Sequence, residues 1–358
     1  MQQISMTPNE RIVSLDIIRG LALFGILLIN VGGYRLVTEG MEMPSIVGVD
    51  ATIQTLIAVV VEKKFFSIFS FLFGAGFFLF AASAERRGNK PLWRFSRRLF
   101  VLLLMGILHV FVFWGSILPI YALVGFLLMP FYRASLKTIM AIGGSLLAVH
   151  LLATGLKLSL SNPVPGIAGV IDYLANDLVT IFLMFLSGFL AAKAGWIGRT
   201  SEHLRSIRKL FFLLLPIAAA LAVWTWTASA SGSPQLSSII ALGAMPMAYF
   251  FLAGLFLLLE NRKIASMFSP VAKVGRMALT NYVAQSFIGL GLMNAFGIGL
   301  PTPGQIVLIA VSIYAIQIGI SAVWLKFFRM GPLEKLWRFL TYGKSGQKLL
   351  KRATPDGA

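Results

Sequence analysis

Arg11–Gly33 reads RIVSLDIIRGLALFGILLINVGG. From Leu15 to Val31 it is apolar apart from Asp16, Arg19 and Asn30, the length and character of a membrane-spanning helix. Arg19 and Asn30 are eleven residues apart, close to three full turns, so they share one stripe about 16 Å apart along the axis. Asp16 lies one turn before Arg19, within reach of an i,i+3 ion pair. Polar groups are costly in lipid and usually face a bundle interior or a wet cavity. The alternative is local: Asp16 and Arg19 as an interfacial anchor, Asn30 as a helix-end residue near water.

Working outward, the 358 residues are 58% hydrophobic and only 12% charged, with a mean hydropathy of +0.84. No soluble core of this size requires that much apolar surface. The expected class is therefore all-α, a polytopic helical bundle in a membrane. The net charge of +18 reports topology in such a protein before it reports nucleic acid, and no nucleic-acid partner is expected. Cysteine is absent, which excludes disulfides, thiol catalysis and cysteine metal sites. The three histidines, His109, His150 and His203, form no ligand spacing with one another, so no metal is expected. The first ten residues lack a signal-peptide pattern, and the Leu15 helix is expected to stay as an anchor.

Apolar runs of spanning length occur ten times, at 15–33, 65–83, 99–115, 117–133, 138–158, 178–195, 210–229, 237–259, 277–298 and 305–327. The third and fourth are separated only by Trp114-Gly115-Ser116, which suits a tight hairpin. If the N-terminus is cytoplasmic, 27 of the 31 basic residues fall inside. The outside then keeps Arg35, Lys63, Lys64 and Lys157 beside Glu39, Glu42, Asp50, Glu62, Asp172 and Asp177. That split predicts an even number of spans with both termini cytoplasmic. Outside, 34–64 contains a candidate amphipathic surface helix at Ala51–Val61, and 159–177 reads as loop from Asn162-Pro163 and Pro165-Gly166. Pro216 and Pro246 fall inside spans, where they kink a helix or free a carbonyl. One transmembrane domain is expected over 1–343, with core spans from 15 to 327 and an inside interfacial helix at 331–343. In that helix Trp337 is placed at headgroup depth and Lys335 and Arg338 toward lipid phosphates. Residues 344–358 read as a basic cytoplasmic tail.

Among the chemistry-bearing residues, His109 lies within the third span, where an imidazole can exchange protons near neutral pH; the alternative is a neutral ring bonded between helices. His150 reads as structural and His203 as solvated in a basic loop. In GRMALTNYVAQS, residues 275–286, Asn281 and Gln285 are i,i+4 neighbours, and so are Tyr282 and Ser286. That polar face either lines a cavity or ties helices together. Ser67, Ser70, Gly74 and Gly76 in Phe65–Phe77 permit close helix contact. Arg94, Arg97 and Arg98 lead into the His109 helix, and Arg276 enters the ninth span. Guanidinium groups bind phosphate bidentately, whether that phosphate belongs to a coenzyme or to anionic lipid. No phosphate-binding glycine loop occurs in the right context.

Five blocks carry a family resemblance: LDIIRGLALFGILLIN (15–30), EKKFFSIFSFLFGAGF (62–77), GILHVFVFWGSILPIYALVG (106–125), GRMALTNYVAQS (275–286) and GPLEKLWRFLTYG (331–343). Together they resemble the YeiB-like bacterial inner-membrane proteins, over about residues 11–343. That family is grouped with transmembrane acyltransferases, including bacterial O-acyltransferases and heparan-α-glucosaminide N-acetyltransferase. The resemblance implies a ten-helix core in the bacterial cytoplasmic membrane that moves an acyl group from cytoplasmic acyl-CoA to an acceptor reached from outside. The O-acyltransferase relatives carry Arg, ten residues, then His in the first span; here the pair is Arg19 and Asn30. The heparan enzyme shares the Asn, but its catalytic His follows in the outer loop, near Met41 here, and 34–64 has no histidine. His109 matches the Gly-x-x-His block, and Ser116 stands where many relatives have Asp.

The resulting assignment gives His109, Asn30, Arg19 and Asp16 the catalytic roles. Arg94, Arg97, Arg98 and Arg276 are assigned to acyl-CoA, and Asn281, Gln285, Ser286, Tyr282, Tyr121 and Ser116 to the acceptor. The partners expected are the lipid bilayer and a small-molecule, lipid or glycan acceptor, and small-residue helix faces allow a homodimer. The competing function is a secondary transporter or exporter of a small metabolite, using the same polar interior as a path.

Overall fold

A computed structural model describes residues 13–35, 46–160 and 165–343; the 344–358 tail, Arg11 and the Met41 position lie outside them. Every regular element among the described residues is helical. In chain order these are α1 (Val13–Gly33), α2 (Val49–Val60), α3 (Lys64–Arg86), α4 (Pro91–Val110) and α5 (Leu118–Phe126), followed by a 3-10 turn at Met129–Tyr132. Next come α6 (Leu136–Ser159), α7 (Pro165–Leu174), α8 (Asp177–Lys193), α9 (Thr200–Ala230) and α10 (Leu236–Leu259). The chain continues as α11 (Arg262–Met267), α12 (Ser269–Arg276), α13 (Ala278–Ala295), α14 (Pro303–Phe327) and α15 (Pro332–Tyr342). Each of the ten runs read from hydropathy contains a helix, but the run at 99–115 leaves α4 at Val110 and the run at 117–133 holds only the nine-residue α5 and the 3-10 turn. Seven stretches among the described residues are long and apolar enough to cross a membrane, so the chain is a membrane protein. α4, α5 and α13 fall short of that test: α4 begins with Arg94, Arg97 and Arg98, α5 is nine residues long, and α13 carries Asn281 and Gln285.

α1 is the most buried of the long helices and packs on α3, α12, α13 and α14. Small residues set the tightest crossings. In α3 a Cβ on Gly74 would lie 1.8 Å from the Phe185 carbonyl oxygen, and in α8 one on Gly188 would lie 1.9 Å from that of Phe71. The two glycines therefore let α3 and α8 touch backbone to backbone. Phenylalanines fill the space beside them: Phe73 stacks on Phe185 at 4.6 Å and Phe77 on Phe95 at 3.8 Å. Pro216 and Pro246 sit inside α9 and α10, which continue through them.

Four expectations change. Residues 165–174 are the helix α7 rather than loop. Proline suits a first helical position because its missing N–H has no intrahelical partner there, and the Lys157–Asp172 ion pair of 2.6 Å ties α7 to α6. The surface helix is present as α2, but it buries Thr55, Ala58 and Val59 against its neighbours instead of lying free. Thr55 Oγ1 meets Ser229 Oγ of α9 at 2.8 Å. His203 belongs to α9, not a loop, and its ring stacks on Trp196 at 5.0 Å. Trp337 turns inward: its indole N–H donates to the Arg98 carbonyl at 2.8 Å, and its ring lies 3.8 Å from the Arg98 guanidinium. His150 is a structural pin, with Nδ1 2.7 Å from the Leu174 carbonyl and Nε2 3.3 Å from Thr180 Oγ1.

Candidate functional site

The site begins where α12 meets α1. A Cβ on Gly275 would lie 1.9 Å from the Asp16 carbonyl oxygen and 2.7 Å from the Gly20 nitrogen. Only glycine lets these backbones approach, and the approach sets Arg276 on the same wall as Arg19. Arg19 Nη1 donates to Asp16 Oδ1 at 2.9 Å, the i,i+3 pair read from the sequence. At the start of α13 the Glu334 carboxylate accepts from the Leu279 and Thr280 N–H groups at 2.7 and 3.1 Å, and from the Thr280 hydroxyl at 2.6 Å. An acid on these unpaired N–H groups satisfies the helix end. It thereby anchors the helix that carries Tyr282 and Ser286.

His109 occupies the last turn of α4 and is buried, 3% exposed. Its Nδ1 lies 2.8 Å from Ser116 Oγ in the α4–α5 connection, and its Nε2 lies 3.1 Å from Ser286 Oγ of α13. The Tyr282 ring sits 5.4 Å from the imidazole, and its hydroxyl accepts from the Ile117 N–H at 3.0 Å. That hydroxyl also faces Ser116 and Asn30. Tyr34, not singled out from the sequence, completes the cluster. Its ring meets Phe113 edge-on at 5.0 Å, and its buried hydroxyl points toward Ser286 yet ends without a hydrogen-bond partner among the described residues.

A cavity of about 220 Å³ runs from the basic end of the bundle to Tyr282; His109, Asn30, Asp16, Ser116 and Ser286, assigned to the site from the sequence, are not among its lining residues. Arg19, Arg98 and Arg276 stand at one end with Glu334 and Trp337; Tyr282, Ile117 and Tyr121 stand on its wall with apolar side chains including Phe69, Phe73 and Phe77. Tyr282 thus faces the cavity while its hydroxyl reaches the His109 partners. The Tyr121 hydroxyl is satisfied by Ser70 at 2.6 Å and by the Phe66 carbonyl at 2.9 Å, so it lines the cavity as a closed polar pair.

An uncharacterized 39.9 kDa protein in the amylase 3′ region of Bacillus acidopullulyticus is 33% identical, over 96% of this chain and 97% of its own length. YeiB of Escherichia coli is 28% identical over 96% of this chain and 99% of its own, and YxaH of Bacillus subtilis 29% over 93% and 95%. The chain belongs to the YeiB-like family. Residues 191–344 of this YeiB-like chain also match the family described as "Protein of unknown function (DUF418)". That match contains Arg276, Tyr282, Ser286 and Trp337, whereas Arg19, Arg98 and His109 precede it. No solved structure matches the chain.

Several other residues assigned to the site from the sequence are placed elsewhere. Of the three arginines in α4 only Arg98 reaches the cavity. Arg94 donates to the Thr341 and Tyr342 carbonyls at 3.5 Å and to Asn89 Oδ1 at 3.1 Å, holding the end of α15, and Arg97 is exposed. Asn281 and Gln285 turn to α14: Asn281 Nδ2 donates to Ser321 Oγ and the Val274 carbonyl, both at 3.0 Å, and Gln285 Nε2 donates to Gln317 Oε1 at 3.2 Å. These amides are interhelical ties rather than cavity walls.

The cavity owes its width to Gly76, which lines it and whose added Cβ would meet nothing within 4 Å. Leucine at Gly76 is expected to fill this space and leave the melting temperature in detergent within about 2 °C, since a ΔΔG near 0.5 kcal/mol or less shifts a chain of this size little. A drop of ten degrees or more on a thermal ramp would show that the space is packed.

Proposed function

We propose that this protein is a membrane-embedded acyltransferase of the bacterial cytoplasmic membrane. It takes an acyl group from cytoplasmic acyl-CoA and gives it to a small-molecule, lipid or glycan acceptor reached from the extracytoplasmic side. The observation that supports the reading is the cavity, with three guanidinium groups at one end and, on its wall, Tyr282, whose ring packs against the His109 imidazole. Both termini are cytoplasmic in this reading, which puts Arg19, Arg98 and Arg276 on the side that supplies coenzyme A.

The size of the cavity decides what enters. At about 220 Å³ it is below the range of roughly 300–1,000 Å³ that holds a drug-sized ligand. The slender pantetheine arm and a short acyl group suit the apolar section between Phe69, Phe73 and Gly76. The nucleotide stays at the mouth, where guanidinium forks receive its phosphates. Arg98 is fixed for this by stacking between Trp337 and Phe80, at 3.8 and 4.8 Å.

His109 is the base. As the acceptor oxygen or nitrogen bonds to the thioester carbonyl carbon and the C–S bond breaks, the acceptor's proton passes to the imidazole and leaves on the coenzyme A thiol. Tyr282 stands between imidazole and cavity, so its hydroxyl, Ser116 and His109 Nδ1 form the proton path. The Tyr34 hydroxyl and the Asn30 amide lie behind Tyr282 rather than on the cavity wall, and are assigned to the acceptor or to charge on the carbonyl oxygen once the acceptor enters the cluster. Serine and histidine side chains in this cluster take either role in a hydrogen bond, as a path carrying protons both ways requires.

The experiment is turnover of acyl-CoA by the purified protein with a panel of hydroxyl and amine acceptors. Tyr282→Phe keeps the ring and deletes the relay; turnover is expected to fall about tenfold or more, on the order of 1.4 kcal/mol of barrier, with acyl-CoA affinity unchanged. Equal turnover in the variant removes Tyr282 from the path. Absence of any acyl product, together with substrate-dependent proton uptake in vesicles, would overturn the enzyme reading.

A further inference from the structure

α15 has two faces, and only one belongs to the cavity. Glu334 and Trp337 look inward. On the other side, between α15 and the end of α14, lies a separate groove of about 680 Å³. Arg329, Lys335 and Arg338 line it together with Phe327, Phe328 and Phe339, and no carboxylate is among its lining residues. The nearest acid on the helix, Glu334, is spent on the start of α13.

The groove's apolar walls are open. Phe327 is 75% exposed and Leu336 and Phe339 are 45% and 43% exposed. Phe327 at the end of α14 and Leu336 and Phe339 one turn apart on α15 together form an apolar wall suited to a lipid chain. The cations sit at the same place: Lys335 and Arg338 are one helical turn apart on α15, and Arg329 precedes the helix in the connection from α14. The Trp324 indole donates to the Met330 carbonyl at 3.0 Å and stacks on Phe328 at 4.4 Å, which fixes the connection and the groove floor.

An occupant must therefore bring an anion and a long apolar body together, at the end of a membrane helix. A soluble nucleotide supplies the anion alone, and a zwitterionic lipid offsets its phosphate with a cation that the groove's three bases repel. We infer that this groove is a binding site for one anionic glycerophospholipid of the adjoining leaflet, its phosphate held by Arg329, Lys335 and Arg338 and a chain lying against Phe327, Leu336 and Phe339. Charge complementarity selects this occupant, and the site is independent of the acyl-transfer reading. Its wall is tied to the cavity, because Arg276 Nη2 donates to the Arg329 carbonyl at 2.9 Å.

The test uses the full chain purified in mild detergent and mixed with phosphatidylglycerol and phosphatidylcholine of identical chains, then weighed by native mass spectrometry. The wild type is expected to keep one phosphatidylglycerol per chain in clear preference to phosphatidylcholine. Lys335→Gln/Arg338→Gln is expected to lower that retention about tenfold, whereas Arg205→Gln/Arg208→Gln, the same change in charge on α9, leaves it intact. No side-chain hydrogen bond among the described residues uses Lys335 or Arg338, so the variant should fold; an unchanged melting temperature checks this. Equal retention of both lipids, equal retention by the two double variants, displacement of the lipid by coenzyme A, or a dimer mass that lipid does not compete away would each overturn the assignment. The last would make a second copy the occupant.

Discussion

Alanine at His109 is expected to lower acyl-transfer turnover by about a hundredfold or more, the usual contribution of a positioned general base. The same change strips the partner from two buried hydroxyls, Ser116 and Ser286, so stability should also fall, by roughly 1–3 kcal/mol. A second variant separates the two effects. His109→Gln keeps a donor and an acceptor near both serines and is expected to recover most of the melting temperature. It cannot accept and release a proton near neutral pH, so turnover stays at the alanine level. Glutamine restoring turnover along with stability would make His109 a helix tie, and the catalytic role would fall.

The largest structural effect is expected from valine at Gly275. Even the first side-chain carbon would lie 1.9 Å from the Asp16 carbonyl oxygen and 2.7 Å from the Gly20 nitrogen. These are backbone atoms on the most buried helix, so α12 must move rather than a side chain yield. Overpacking of a core costs typically 1–3 kcal/mol and occasionally more, and a backbone clash belongs at the upper end. Arg276 would be carried away from Arg19, so acyl-CoA affinity should drop even in the fraction that remains folded. The contrast is Gly76, where a side chain enters open space. A Gly275→Val protein that melts with the wild type would refute the α1–α12 contact.

Much of the helical architecture is legible in the chain because membrane helices obey a length rule that needs no partner. The Arg19–Asn30 stripe follows from helical period alone, and the structure places Arg19 at the cavity mouth and Asn30 beside Tyr282. The polar residues of 275–286 show the limit of such reasoning. Asn281 with Gln285 and Tyr282 with Ser286 have identical i,i+4 spacing, yet one pair faces α14 and the other His109. Their separation is about 100° of helix rotation, and which face meets which neighbour is a tertiary fact. Ser116–His109–Ser286 was hidden for a similar reason, because Ser286 is 177 residues from His109. Gly74 and Gly76 look alike in FGAGF, but one meets the Phe185 backbone and the other opens the cavity. At α7 a proline and glycine that usually mark a turn instead open a helix.

The measurement that reaches furthest is a structure of the protein bound to a thioether analogue of acyl-CoA. Expected is density for the phosphates at Arg19, Arg98 and Arg276, the arm passing Gly76, and the acyl carbon beside Tyr282 within one side chain of His109. Analogue bound elsewhere, or a cavity still closed to it at saturating concentration with His109 packed dry between its serines, would contradict the account.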